Sequence, residues 1–170
     1  MDASTLFYII IGILVFDFVL DQFLGYLNYS WYSKPVPQEL EDVYDAAEYE
    51  KSQEYKKTNY RFRLLSSTFS FLALFCSHFY DGFAIIDSWA RTQVNHDILV
   101  GLLFFTVIAA AGEIISLPFS YYSTFVIEEK FGFNKTTLKT FIIDKLKGWL
   151  LTAILGGGIL SLVIVCYNWA

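Results

Sequence analysis

The sequence predicts an all-α integral membrane protein, a helical bundle of about four transmembrane helices with a cytoplasmic helical extension on the second. Three observations lead there. The 170 residues are 55% hydrophobic and 19% aromatic, whereas a soluble domain is roughly 45–50% apolar with far fewer aromatics. The excess falls in blocks of about 20 residues separated by charged stretches, which is the pattern of membrane spans and not of one soluble core. Basic residues also alternate between loops in the way a bilayer imposes.

The first block runs from about Leu6 to Leu27 and carries Asp17 and Asp21. A signal peptide needs a positive start and a short apolar core. Here no Lys or Arg precedes Lys34, and the apolar run is too long, so the block reads as a retained first span. Residues 28–59 are rich in Tyr, Glu and Lys. Pro35 and Pro37 break any helix. Pro37 also suits the first turn of a new helix, where the dipole favours the acids Glu39, Glu41 and Asp42. From Ala46 the chain has good helix formers and no breaker. Glu50 with Lys51, Glu54 with Lys57, and Tyr49, Tyr55 and Tyr60 suggest an amphipathic helix. It is predicted to run without a stop into the second block, Leu64 to about Ile86.

A polar connection, Asp87 to His96, follows. The third block is Ile98 to about Phe119, with Pro118 near its end. Tyr121 to Asn134 reads as a loop or half-helix, with Gly132 as C′ residue and Asn134 or Thr136 as the next N-cap. The last helix starts near Thr137, passes Asp144, Lys145 and Lys147, and becomes the fourth block, Trp149 to about Tyr167. Trp149 and Trp169 bracket it as interfacial anchors.

Lys34, Lys51, Lys56, Lys57, Arg61 and Arg63 fall in the first loop, and Lys130, Lys135, Lys139, Lys145 and Lys147 in the third. The second loop holds Arg91 alone. With four spans, the first and third loops share one side, predicted cytoplasmic, and both termini are predicted non-cytoplasmic. Asn28 and Asn134 lie in N-x-Ser/Thr sequons, of which Asn134, beside Lys135, is expected to stay bare. The expected location is a bacterial inner membrane or the endoplasmic reticulum, and the expected partner is the lipid bilayer. Residues 1–170 read as a single transmembrane domain, without an internal repeat or a low-complexity linker.

Several functions are excluded on residue type. The net charge is −5 with acids and bases intermixed, so no basic stripe suits nucleic acid. Cys76 and Cys166 lie in apolar blocks and read as buried free thiols. The two histidines, His78 and His96, fall far short of a zinc set, and the H-E-x-x-H signature is absent. Gly156, Gly157 and Gly158 lack the Lys-Ser/Thr of a phosphate loop and suit close helix packing. No G-x-S-x-G nucleophile turn occurs. The sequence therefore predicts no catalytic residue, no metal ligand and no cofactor in this chain.

Some polar residues stand in the wrong solvent. Asp17 and Asp21 are four apart and share one helix face. A charge at mid-bilayer costs at least about 2.5–3.5 kcal/mol, so both must look into protein or water. Glu113 poses the same problem in the third block, as do His78 and Asp81 in the second. Asp17, Asp21 and Glu113 are candidates for the lining of a wet interior cavity. The plainer reading places the aspartates near interfaces or against Tyr and Ser hydroxyls.

The most specific stretch is Leu117-Pro118-Phe119-Ser120-Tyr121-Tyr122-Ser123-Thr124-Phe125-Val126-Ile127-Glu128-Glu129-Lys130-Phe131-Gly132-Phe133-Asn134-Lys135-Thr136-Thr137. It resembles the N-terminal region of the CAAX prenyl protease type I family of integral-membrane zinc metalloendopeptidases. Phe141, Asp144 and Lys147 extend the resemblance downstream, and Glu48 to Tyr55 is similar to the loop after the family's first span. The resemblance implies a helical membrane protease around a large water-filled chamber, acting on prenylated CAAX peptides. It also implies that the zinc ligands follow this region, so zinc is expected only in a complete family member. This chain is then expected to be the noncatalytic N-terminal membrane scaffold, partnered by the catalytic segment of the same or a neighbouring protein. Within the motif, Leu117, Pro118, Tyr122, Phe125, Glu128, Glu129, Gly132, Phe133 and Asn134 are expected to form a structural brace or to shape the substrate entrance. The alternative is a stand-alone membrane binding or regulatory module that kept this fold without protease activity. A channel or transporter would rest on the intramembrane acids alone and lacks paired half-repeats.

Overall fold

The structure, a computed structural model, describes residues 2–36 and 45–169. Pro37, Glu39, Glu41 and Asp42, expected to open a helix, lie outside the described residues. The elements are α1 (Ala3–Trp31), α2 (Ala46–Phe79), α3 (Gly82–Gln93), α4 (Asp97–Tyr122), a π-helical turn (Ser123–Glu128), α5 (Glu129–Phe131) and α6 (Leu138–Trp169). Among the described residues there is no strand. Among the described residues, four helical stretches are long and apolar enough to cross a membrane: Ser4–Trp31, Ala46–Phe79, Asp97–Phe131 and Leu138–Tyr167. The chain divides into two compact units, Met1–Phe75 with Phe119–Phe133, and Cys76–Pro118 with Asn134–Ala170.

In the first unit α1 and α2 pair antiparallel. The covered positions of α1 and its C-cap are Phe7, Ile11, Leu14, Phe18, Gln22, Gly25, Tyr29 and Tyr32, at steps of three and four. That spacing is close to the 3.5-residue period of a left-handed coiled coil. Phe18 stacks on Phe71 with ring centroids 4.1 Å apart. One turn on, Gln22 Nε2 donates to Ser67 Oγ at 3.1 Å. Tyr29 stacks on Tyr60 at 4.7 Å and its hydroxyl accepts from Arg61 Nη2 at 3.1 Å. Between these rungs Gly25 is buried, and a Cβ there would stand 3.0 Å from Tyr60 Cε2 and 3.1 Å from Arg63 Nη2. Glycine is what lets the two backbones approach.

In the second unit the structure corrects the expected second span. The helix does not run on to Ile86. It stops at Phe79, and Asp81 takes a left-handed conformation with φ 55°. Asp is among the few residues that tolerate it. Gly82 completes the break, since a Cβ there would lie 3.0 Å from the Ser77 carbonyl oxygen. Hydropathy hides this corner because Phe83 to Ile86 prolong the apolar run. The expected polar connection Asp87 to His96 is correspondingly mostly helix, because α3 continues to Gln93. Within α3, Arg91 Nε donates to Asp87 Oδ2 at 2.9 Å. That bond, then the carboxylate's charge, holds the Arg91 pKa above its usual value. At the start of α4, His96 Nδ1 accepts from the Ile98 N–H at 3.3 Å.

Helices α4 and α6 also pair antiparallel. A Cβ on Gly101 would stand 2.8 Å from Ile164 Cδ1, and one on Gly157 3.5 Å from Leu102 Cδ2. Of the three consecutive glycines, Gly157 is the one facing another helix. Gly156 meets Thr152 of its own helix, and Gly158 meets nothing within 4 Å. Cys76 and Cys166 are free but exposed, which corrects the expectation of buried thiols. Lipid tails are as apolar as a protein interior, so an apolar block in a span need not turn inward.

Candidate functional site

Within the most distinctive stretch, Tyr121 to Asn134 is not the expected loop or half-helix but is helical as far as Phe131. Pro118 lies inside α4, which continues to Tyr122 and passes without interruption through the π-helical turn into α5. Pro118 lacks an N–H and so removes one bond of the helical ladder. The π turn a few residues later closes i→i+5 bonds, which locally alters the rotation of the side chains and is frequent at functional sites. Ile127 and Phe131 are buried, at 3% and 4% exposure, while Leu117, Tyr122 and Phe133 remain exposed.

The aromatic residues around this turn meet α2 inside the first unit, along its polar half and as far as Phe69. Tyr122 stacks on Phe62 with centroids 5.0 Å apart. Phe119 lies against Phe62 and Phe69 at 6.1 and 5.5 Å. Tyr55 presents its edge to Phe131 at 5.4 Å and to Phe133 at 4.8 Å. Lys51 Nζ sits 5.7 Å from the Phe133 ring centre, within reach of a cation–π attraction. Phe125 instead pairs with Tyr121 at 4.9 Å.

The turn closes as the sequence predicts at Gly132, which takes φ 76°. Its N–H donates to the Glu129 carbonyl at 3.0 Å, and the Phe133 N–H to the Glu128 carbonyl at 2.9 Å. These two bonds form the Schellman motif that ends helices at a left-handed glycine. Glu128 and Glu129 are thus fixed in the turn by their carbonyl oxygens. The next cap differs from expectation. Asn134 Oδ1 accepts from the Thr136 N–H at 2.7 Å, forming a local Asx turn. The N-cap of α6 is Thr137, whose Oγ1 accepts from the Thr140 N–H at 3.2 Å. A hydroxyl reaching the N–H three residues on is the usual capping geometry; Thr137, just beyond the expected Asn134 or Thr136, carries a capping side chain as they do, which left the choice to the tertiary path.

The intramembrane acids divide by unit. Asp17 and Asp21 lie in the first unit, exposed on α1 beside its seam with α2. Glu113 lies in the second unit and forms an ion pair with Lys145, Nζ to Oε1 2.7 Å, both side chains about one quarter exposed at 26%. Glu113 Oε1 is sealed from solvent and makes no angular hydrogen bond, so the contact is one of charge. The sequence reading missed this pairing, having counted Lys145 as a loop base. Its position one turn or more inside the helix entering the fourth block was the available signal. His78 rests edge-on against Phe83 at 4.7 Å, and Asp81 serves the corner before α3. Among the described residues no three of His, Cys, Asp and Glu gather closely enough to hold a metal ion. The described residues therefore do not fit a zinc site, and no step through zinc is derived for them.

The family described as CAAX prenyl protease N-terminal, five membrane helices, matches residues 25–170. The chain belongs to this family. It is similar to CAAX prenyl protease 1 homolog of Dictyostelium discoideum, 33% identical over 165 residues, covering 90% of this chain and 38% of that protein. It is similar to CAAX prenyl protease 1 of Saccharomyces cerevisiae, 30% identical over 171 residues, covering 94% of this chain and 38% of that protein. The crystal structure of S. mikatae Ste24p superposes with a TM-score of 0.86 at 31% identity, covering 95% of this chain and 39% of that one. The chain thus spans about two fifths of the length of these relatives. It is the N-terminal membrane portion of a CAAX prenyl protease, with a Ste24p-like fold. The glycine-capped turn after Pro118 lies within the residues that match this family and is built here on aromatic contacts to α2.

Proposed function

We propose that this CAAX prenyl protease N-terminal region is a noncatalytic scaffold, acting as one transmembrane domain over residues 1–170 and forming part of the wall of a water-filled protease chamber. Its partner is the catalytic segment, which carries the zinc and cuts prenylated CAAX peptides. In this reading Asp17, Asp21 and Glu113 line the chamber, where water lowers the cost of their charge. Leu117, Pro118, Tyr122, Phe125, Glu128, Glu129, Gly132, Phe133 and Asn134 form a brace that holds the end of α4 against the polar half of α2. The observation that carries the reading is the clamp of Tyr55 on Phe131 and Phe133. It ties the motif to another helix with apolar rings and leaves none of the motif's carboxylates in a ligand set. The segments holding Lys51 and Lys130 face the cytoplasm and both termini face away from it. The eukaryotic sources of the relatives above favour the endoplasmic reticulum over a bacterial inner membrane.

The test is complementation. This chain is expressed alone and together with the remainder of a relative that carries H-E-x-x-H, and cleavage of a prenylated CAAX peptide is followed. The chain alone is expected to cleave nothing and to hold no stoichiometric zinc, and co-expression is expected to restore cleavage. One tightly bound zinc per chain would overturn the scaffold reading. Normal cleavage by the remainder without this chain would favour the stand-alone module.

A further inference from the structure

Helix α3 is twelve residues long, about 18 Å at 1.5 Å per residue, too short to cross a bilayer. It is tied at both ends to helices that do. Tyr80 and Asp81 join it to α2, and Val94 to His96 join it to α4. Its inner face is satisfied by the second unit. Phe83 lies against His78 at 4.7 Å and Phe104 at 6.4 Å, and Ala90 is fully buried.

Its two flanks differ in chemistry. With about 100° of rotation per residue, Trp89 and Ile85 fall on one side of Ala90, and Asp87, Arg91 and Ser88 on the other. The first flank is apolar and uncovered at Ile85, 64% exposed, and Trp89, 46% exposed, and ends at the exposed Thr92 and Gln93. The second carries the Asp87–Arg91 ion pair at 2.9 Å. Phe79, Tyr80 and Leu99 are likewise exposed where the flanking spans end and begin. An apolar stripe with a Trp, a polar stripe opposite, and spans at both ends are the features of a helix lying in the membrane interface.

We propose that α3 is an interfacial anchor whose Ile85–Trp89 flank inserts into the headgroup–acyl boundary of the leaflet where α2 ends and α4 begins. The occupant of this surface is lipid. The interaction is apolar and not a charge attraction, because Arg91, the one basic residue of this loop, is already paired with Asp87. Seated in this way, α3 fixes the depth of α2 and α4 relative to the membrane surface.

The experiment uses the chain in lipid vesicles with Trp89 as the one remaining tryptophan, in a W31F/W149F/W169F variant. Quenching is compared between lipids brominated near the headgroup, lipids brominated near the tail end, and aqueous iodide. Shallow bromolipid is expected to quench about twofold more than deep bromolipid, and iodide to quench little, as for a ring at the interface. Raising the anionic lipid fraction is expected to change neither result. Strong iodide quenching with no bromolipid effect overturns the proposal in favour of a water-facing helix. Quenching by neither overturns it in favour of a protein cover, whether a second copy or another chain. If the tryptophan variant fails to fold, a spin label on Ile85→Cys in a C76S/C166S background reads the same depth through its relative accessibility to oxygen and to a water-soluble nickel complex.

Discussion

The α1–α2 pair and the α4–α6 pair are both antiparallel helix pairs, yet they are joined by different means. Along α1 the contacts are distributed: Phe18 on Phe71, Gln22 on Ser67, Gly25 against Tyr60 and Arg63, Tyr29 on Tyr60 and Arg61. Between α4 and α6 they are concentrated, with small residues at Gly101 and Gly157 toward one end and the Glu113–Lys145 ion pair toward the other. Lipid gives helices little hydrophobic reason to associate, so packing and polar contacts carry the pairing. A distributed seam tolerates the loss of one rung. A pair resting on few points does not.

That contrast orders four substitutions, each measured as reversible unfolding in mixed micelles. The largest effect is expected for Glu113→Leu, which strands the Lys145 ammonium in a span and should cost about 2.5–3.5 kcal/mol. The double variant E113L/K145L should recover most of that loss. Equal losses in the single and double variants would show that the charge pair does not hold α4 to α6. Next is Gly25→Ala, whose methyl meets the stacked Tyr60 ring at 3.0 Å; overpacking of this kind costs about 1–3 kcal/mol. Gly101→Ala should cost less, near the bottom of that range of about 1–3 kcal/mol. Its closest contact is shorter, 2.8 Å, but it is with the free end of Ile164, which can turn aside. The reverse order of these two alanines would mean that ring stacking does not stiffen the first seam. The smallest effect is expected for Gln22→Leu, about 0.6 kcal/mol, typical of one hydrogen bond between membrane helices. Ser67 keeps a bond to the Leu64 carbonyl at 3.3 Å and is not stranded. A loss as large as that of Glu113→Leu would make the seam dependent on a single rung.

The same contrast explains what was legible in advance. Span existence and the all-α class follow from hydropathy, a property of each segment alone: each expected block meets one observed apolar helix, and the second alone overruns its helix, past Phe79. Gly132 was legible because its role depends on its own φ and the helix before it. The N-cap was not, since Asn134, Thr136 and Thr137 all carry capping side chains. The corner at Asp81 was hidden because Phe83 to Ile86 prolong the apolar run and the decisive contact is Gly82 against Ser77. The motif was legible as a motif, but Tyr55, Phe62 and Lys51, which pack against it, were not.

By itself the sequence determined the spans, the glycine-capped turn, and the family resemblance carried by Leu117 to Thr137. These rest on hydropathy, periodicity and local backbone preference, which neighbouring residues decide among themselves. Only the tertiary structure decided that Glu113 meets Lys145, that Gln22 meets Ser67 45 residues away, and that α3 breaks from α2. Those outcomes depend on which faces of two helices meet, and no property of either segment alone contains that information.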